Sequence, residues 1–100
     1  MATTTKALAR GAFATSSATL YTVPSSTTTV VTNIVVDNTA SSAATFSILL
    51  DGVELLSAAA VDANSSVFFD LKQTLATTKI IAGFASATTV KFHISGVEIN

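Results

Sequence analysis

The sequence predicts an all-β protein: an antiparallel, jelly-roll-like β-sandwich of about eight or nine strands with no substantial helix. Three observations carry this. Ala, Thr and Ser supply 17, 17 and 12 of the 100 residues, and the small and β-branched side chains suit pleated, tightly stacked surfaces better than helices. Short runs of alternating polarity recur at spacings of roughly 8–12 residues with turn residues between them, the habit of sandwiches and barrels. No segment reads convincingly as a helix. A jelly roll is the leading version because it packs eight strands as two sheets.

Residues 1–19 are small and polar, with Leu8 and Phe13 as the large apolar groups. They read as an extended arm that can hold one edge strand, with Gly11 marking a bulge. Residues 20–100 read as a single sandwich domain. Leu20-Tyr21-Thr22-Val23 is a short strand ended by Pro24, which lacks an amide donor. Thr27 to Asp37 is dense in β-branched residues and hostile to helix. Strict alternation there puts Val30, Ile34 and Val36 on one face and Val31 and Val35 on the other, a strand covered on both sides.

Asn38 to Ser42 is a polar loop. Ala44, Phe46, Ile48 and Leu50 then alternate with Thr45, Ser47 and Leu49. Asp51-Gly52 follows, the pair favoured where a two-residue hairpin needs positive φ at both central positions. Val53 to Ala59 returns antiparallel, and Asp62 to Ser66 is another turn. Val67, Phe69 and Leu71 point one way while Phe68, Asp70 and Lys72 point the other. Gln73 to Thr78 is a loop with room for one helical turn. Lys79 to Ser86 is a strand, with Gly83 placed for a bulge. Val90, Phe92 and Ile94 alternate with Lys91, His93 and Ser95; Gly96 breaks the pattern, and Val97 and Ile99 continue on the other parity.

Composition excludes several function classes. Only 11% of residues are charged, and the net charge is −1, against about 25% charged in an ordinary domain. A chain so short of solvating charge suits permanent assembly better than free diffusion. Five basic residues spread along the chain do not make the stripe that a phosphate backbone requires, so no nucleic acid is expected. Hydrophobic residues reach 49%, yet apolar runs such as Ala58-Ala59-Ala60-Val61 fall far short of the roughly 20 residues of a spanning helix. No membrane partner is expected. With no cysteine, disulfides and thiolate metal sites are impossible. The Ala/Ser/Thr-rich start holds one Arg and no apolar core, which argues against transit and secretory signals.

No residues spell out a chemistry. His93 is the single histidine, and its parity sets it toward solvent or a neighbour rather than among catalytic partners. Asp37, Asp51, Asp62 and Asp70 fall at or near turns or strand ends, where Asp bonds its own backbone. Asp62 with Asn64 could begin a hard-cation site, but the several converging oxygens needed are not in evidence. Asn64-Ser65-Ser66 matches a glycosylation sequon without a secretion signal to make it meaningful. The six phenylalanines read as core rather than a base-stacking platform, given the few cations. The reading is therefore no enzyme, no cofactor and no metal. Phe68-Phe69 is the informative pair: adjacent strand residues face opposite ways, so one of them must be covered by something outside the core.

Leu20-Tyr21-Thr22-Val23-Pro24, Asn33-Ile34-Val35-Val36-Asp37-Asn38, Val61-Asp62-Ala63-Asn64 and Gly96-Val97-Glu98-Ile99 together resemble small structural proteins of tailed bacteriophages. The resemblance covers residues 3–100. It implies a virion β-sandwich without enzyme activity, made in the bacterial host cytoplasm. The compact single domain, without coiled coil or repeat, resembles a capsid decoration (cement) protein. That resemblance implies a position on the outer capsid surface, with the major capsid protein and its own copies, as dimer or trimer, for partners. The expected contacts between subunits are Leu8, Phe13, Phe68, His93, Val97 and Ile99. A tail, neck or fibre-base component and a virion-surface carbohydrate-binding module are the alternatives.

Overall fold

The computed structural model describes residues 2–100. Eight strands make up these residues: β1 (Thr3–Ala12), β2 (Ala18–Thr22), β3 (Thr28–Asn38), β4 (Ala44–Leu50), β5 (Val53–Val61), β6 (Ser66–Leu75), β7 (Ile80–Ala85) and β8 (Val90–Ile99). They form two four-stranded sheets, in the orders β1-β8-β3-β6 and β2-β7-β4-β5. Every pairing is antiparallel. The pairs β4–β5, β3–β6, β2–β7 and β1–β8 are nested one outside the next. The chain is thus one long hairpin rolled up on itself, with β3–β8 and β4–β7 closing the seams. The result is a jelly-roll-like sandwich. No helix occurs among the described residues, so none is long and apolar enough to cross a membrane.

The hairpin tip follows its residues. Asp51 and Gly52 both hold positive φ, 54° and 76°, the geometry that a tight two-residue turn between β4 and β5 demands. Between the sheets lies a core that includes Val31, Ile34, Val36, Phe46, Ile48, Val61, Ile81, Val90 and Ile94. A chain of aromatic rings runs through it: Phe92 to Phe13 at 4.9 Å, Phe13 to Phe46 at 6.0 Å and Phe46 to Phe69 at 6.1 Å. These separations and tilts are those that ring quadrupoles favour.

Three expectations change. First, Leu8 and Phe13 are not exposed on a free arm: Leu8 is 9% and Phe13 1% exposed, and both belong to the core of the chain. The reason is that β1 lies flush along β8 from Thr3 to Ala12, which carries their side chains inward. Second, β3 does not alternate strictly. Its register shifts between Val31 and Asn33 against both neighbours. That irregularity turns Val31 inward with Ile34 and Val36 and leaves Val30 outward with Val35. Third, β8 does not break at Gly96. Phe92, Ile94, Gly96 and Glu98 all lie inward, and His93, Ser95, Val97 and Ile99 outward.

Smaller differences follow the same logic. The bulge in β1 falls at Leu8 rather than Gly11, and the shift between β2 and β7 falls at Leu20 rather than Gly83. Strand β6 runs on to Leu75, where a loop is expected, because Leu75 reaches the core. Asn38 is fully buried rather than part of an open loop. Its Nδ2 donates to the carbonyls of Ser42 (2.8 Å), Asp62 (3.3 Å) and Val61 (3.4 Å), and its Oδ1 accepts from the Ala40 amide at 3.1 Å. The side chain supplies the hydrogen bonds that a buried backbone turn cannot find in water.

Candidate subunit interface

The outer face of the β1-β8-β3-β6 sheet gathers four of the six residues singled out from the sequence. Cross-strand register sets Phe68 beside Val35, Val35 beside His93, and His93 beside Arg10. A second row runs Thr74, Val30, Val97, Thr5, and a third Thr28, Ile99, Thr3. Phe68 is 71% exposed; Val30, Val35, Val97 and Ile99 are half-buried. The face is therefore a mixture of branched apolar groups and threonine methyls, with Arg10, Asp37, Asp70, Lys72 and Lys91 toward its margins. Such a surface can be covered with little desolvated charge, which is what a low-cost protein contact needs. Leu8 and Phe13 take no part in it.

One chemically organised cluster escaped the sequence reading. At the end of the sandwich, Glu98 points inward and is 8% exposed. Tyr21 donates its hydroxyl proton to Glu98 Oε2, and with that proton committed, its oxygen accepts from Thr29 Oγ1 at 2.9 Å. Lys6 Nζ lies 3.4 Å from Glu98 Oε1. The cluster thus ties β1, β2, β3 and β8 together and joins one sheet to the other. The signal was present: continuing the alternation of Phe92 and Ile94 through Gly96 puts Glu98 inside, and a lone inward carboxylate needs donors.

The Tyr21 hydrogen bond holds the Glu98 carboxyl below its ordinary value of 4.5, against the burial that opposes it; Lys6 adds to the lowering. Tyr21 is pushed up to about 12, first by burial and then by the bond to Glu98. A carboxylate lowered by folding contributes stability that is complete above its ordinary pKa and is lost as pH falls through the folded value. Tyr21→Phe is expected to lower stability at neutral pH by about 1.5–3 kcal/mol, the range for a hydrogen bond to a charged group. The deficit should shrink once Glu98 is protonated in both proteins. Urea unfolding at neutral and strongly acid pH checks this; an equal deficit at both would show that the charge on Glu98 plays no part.

Among the described residues no group of three or more His, Asp or Glu side chains comes together. Asp51 meets Lys79 at 3.7 Å on the surface, and Asp37 accepts from Ser66 Oγ at 3.0 Å.

No protein-family model matches the chain, and no curated protein matches it in sequence. Solved structures match in shape. The acid-stable capsid structure of Helicobacter pylori bacteriophage KHP30 contains a chain similar to this one with a TM-score of 0.60 at 12% identity, covering 100% of this chain and 94% of that one. Two crystal structures of a pentameric capsid protein isolated from metagenomic phage sequences align over 90% of this chain and 60% or 61% of theirs. Their TM-scores are 0.36 and 0.37, at 18% and 21% identity. The β-sandwich described above is thus also the fold of a chain in the KHP30 capsid.

Proposed function

We propose that this protein is a bacteriophage virion structural subunit, and specifically a capsid decoration (cement) protein that bridges major capsid protein subunits on the outer shell. The observation that carries the reading is the outer face of the β1-β8-β3-β6 sheet, where Phe68, Val35, Val30, Val97 and Ile99 lie uncovered with few charges among them. A small sandwich buries limited surface alone, and any partner that binds only its folded form stabilises it by mass action. The KHP30 capsid chain of similar fold is also of nearly equal length, since each covers at least 94% of the other. The function is mechanical, and no reaction enters it.

Val97 is half-buried on β8, one of the two inner strands of this sheet, so Val97→Asp is the direct test. The variant is expected to fold as well as the wild type but to bind purified shells at least tenfold more weakly, measured as copies per particle. Undiminished occupancy would overturn the assignment of this face. Immunogold labelling of particles tests the location: an even distribution over the shell is expected, and label at a single vertex would make the protein a tail or neck component.

A further inference from the structure

The two lateral edges of the sandwich are built differently. Strand β1 pairs only with β8, and its free edge carries Lys6 and Arg10 and a bulge at Leu8. Charge and bulging are the devices by which edge strands refuse new partners. The opposite edge, formed by β5 and β6, has charges and an irregularity of its own, Asp70, Lys72 and two residues of β6 set against Thr32 of β3, but it differs in exposing large apolar groups. Val53 (70%), Leu55 (37%) and Phe68 (71%) are the exposed large hydrophobic residues among those described, and all three lie there. Between the two strands runs a groove of about 330 Å³ lined by Leu55, Leu56, Phe68, Phe69, Asp70 and Leu71.

We propose that this edge is a self-interface, on which two copies meet β6 to β6, antiparallel, across a twofold axis at Leu71. The charges argue for a second copy over any other occupant. Asp70 and Lys72 are both exposed on the same side of β6. Antiparallel apposition about Leu71 sets Asp70 opposite Lys72 of the partner subunit, and the same pair recurs on the other side of the axis. Cross-strand neighbours at that separation interact directly. Within the chain Asp70 accepts a 3.3 Å hydrogen bond from Asn33 Nδ2, and Lys72 has no ion-pair partner among the described residues. Strand β6 is thus complementary to itself, whereas β1, with two cations and no acid, is not. A self-complementary patch closing on a twofold axis is the commonest form of oligomer.

The interface requires no shell, so it is tested on the purified protein alone by sedimentation equilibrium. The wild type is expected at twice the 10.2 kDa chain mass. Asp70→Lys and Lys72→Asp are each expected to weaken self-association about tenfold or more, because each sets like charges opposite one another on both sides of the axis. Both positions are exposed, and a retained β-sheet circular-dichroism spectrum with a cooperative urea transition will show that the variants fold, the midpoint itself falling as the dimer's mass-action stabilisation is lost. Mixing the two variants in equal amounts is expected to restore the dimer, since the cation introduced at position 70 then faces the acid introduced at position 72. A monomeric or trimeric wild type, or a mixture that stays monomeric, would overturn the proposal. Those results would leave the shell-facing role untouched, because Val97→Asp probes that separately.

Discussion

Phe13→Ala is expected to destabilise the fold by about 3–5 kcal/mol, the cost of removing a buried aromatic ring and leaving a cavity. Phe13 is 1% exposed and touches both Phe92 and Phe46. It therefore stands in the middle of the ring chain that crosses the core. Its amide also donates to the Val90 carbonyl at 2.9 Å, which fixes where the chain leaves β1. Phe68→Ala, by contrast, removes a ring that is 71% exposed and should change folding by no more than about 0.5 kcal/mol. Urea denaturation of both variants gives the comparison. The same argument predicts the fate of a truncation: removing residues 2–13 takes away a whole edge strand together with Leu8 and Phe13, so the remainder should fail to fold rather than fold and detach. If Phe13→Ala stayed within 1 kcal/mol of the wild type, the placement of this ring in the core would be wrong.

Gly96→Ala should cost about 3 kcal/mol, at the upper end for forcing an extra group into a packed interior. Gly96 faces inward on β8 opposite Val31. A Cβ there would be driven against the Val30 carbonyl oxygen and would lie 2.8 Å from Leu8 Cδ1. The first contact is backbone and cannot rotate aside, so either β8 moves away from β3 or Leu8 leaves the core. Gly52→Ala is the control. Nothing lies within 4 Å of its added Cβ, and only its φ of +76° resists, so its cost should be about 1 kcal/mol. Thermal or urea unfolding ranks the two, and a milder effect at position 96 than at position 52 would contradict the packing described.

Much of this architecture was legible because local chemistry and global fold agree. Asp51-Gly52 allows few alternatives to a tight hairpin, and Val67 to Lys72 alternates in step with the sheet that buries its odd residues. Where the reading failed, a single irregularity had moved the parity. The shift beside Thr32 exchanges Val30 for Val31 across the sheet, and one residue of slip is invisible in a run where both parities are branched and apolar. Gly96 misled in the opposite sense. It looked like a break, but it is the place where β8 passes too close to β3 for any side chain. Leu8 and Phe13 looked like exposed anchors on a polar arm, because sequence alone does not show that the arm lies along the last strand. Of the candidate interface, Phe68, His93, Val97 and Ile99 were recoverable from alternation. The Glu98 cluster depends on neighbours far away in the chain, which periodicity does not report; alternation sets Asp70 and Lys72 on one face of β6 but does not show that β6 lies at a sheet edge.

The nesting of strand pairs also orders the cost of bringing the chain together. The turn at Asp51-Gly52 closes the shortest possible loop between β4 and β5. Once that pair exists, β3 and β6 are separated by little free chain, then β2 and β7, then β1 and β8. Each step gathers only a modest additional loop, whereas joining the first and last strands at the outset would restrict nearly the entire polypeptide at once. The lowest-cost route therefore starts at the tip and ends with β1, whose Leu8 and the adjoining Phe13 close the interior last.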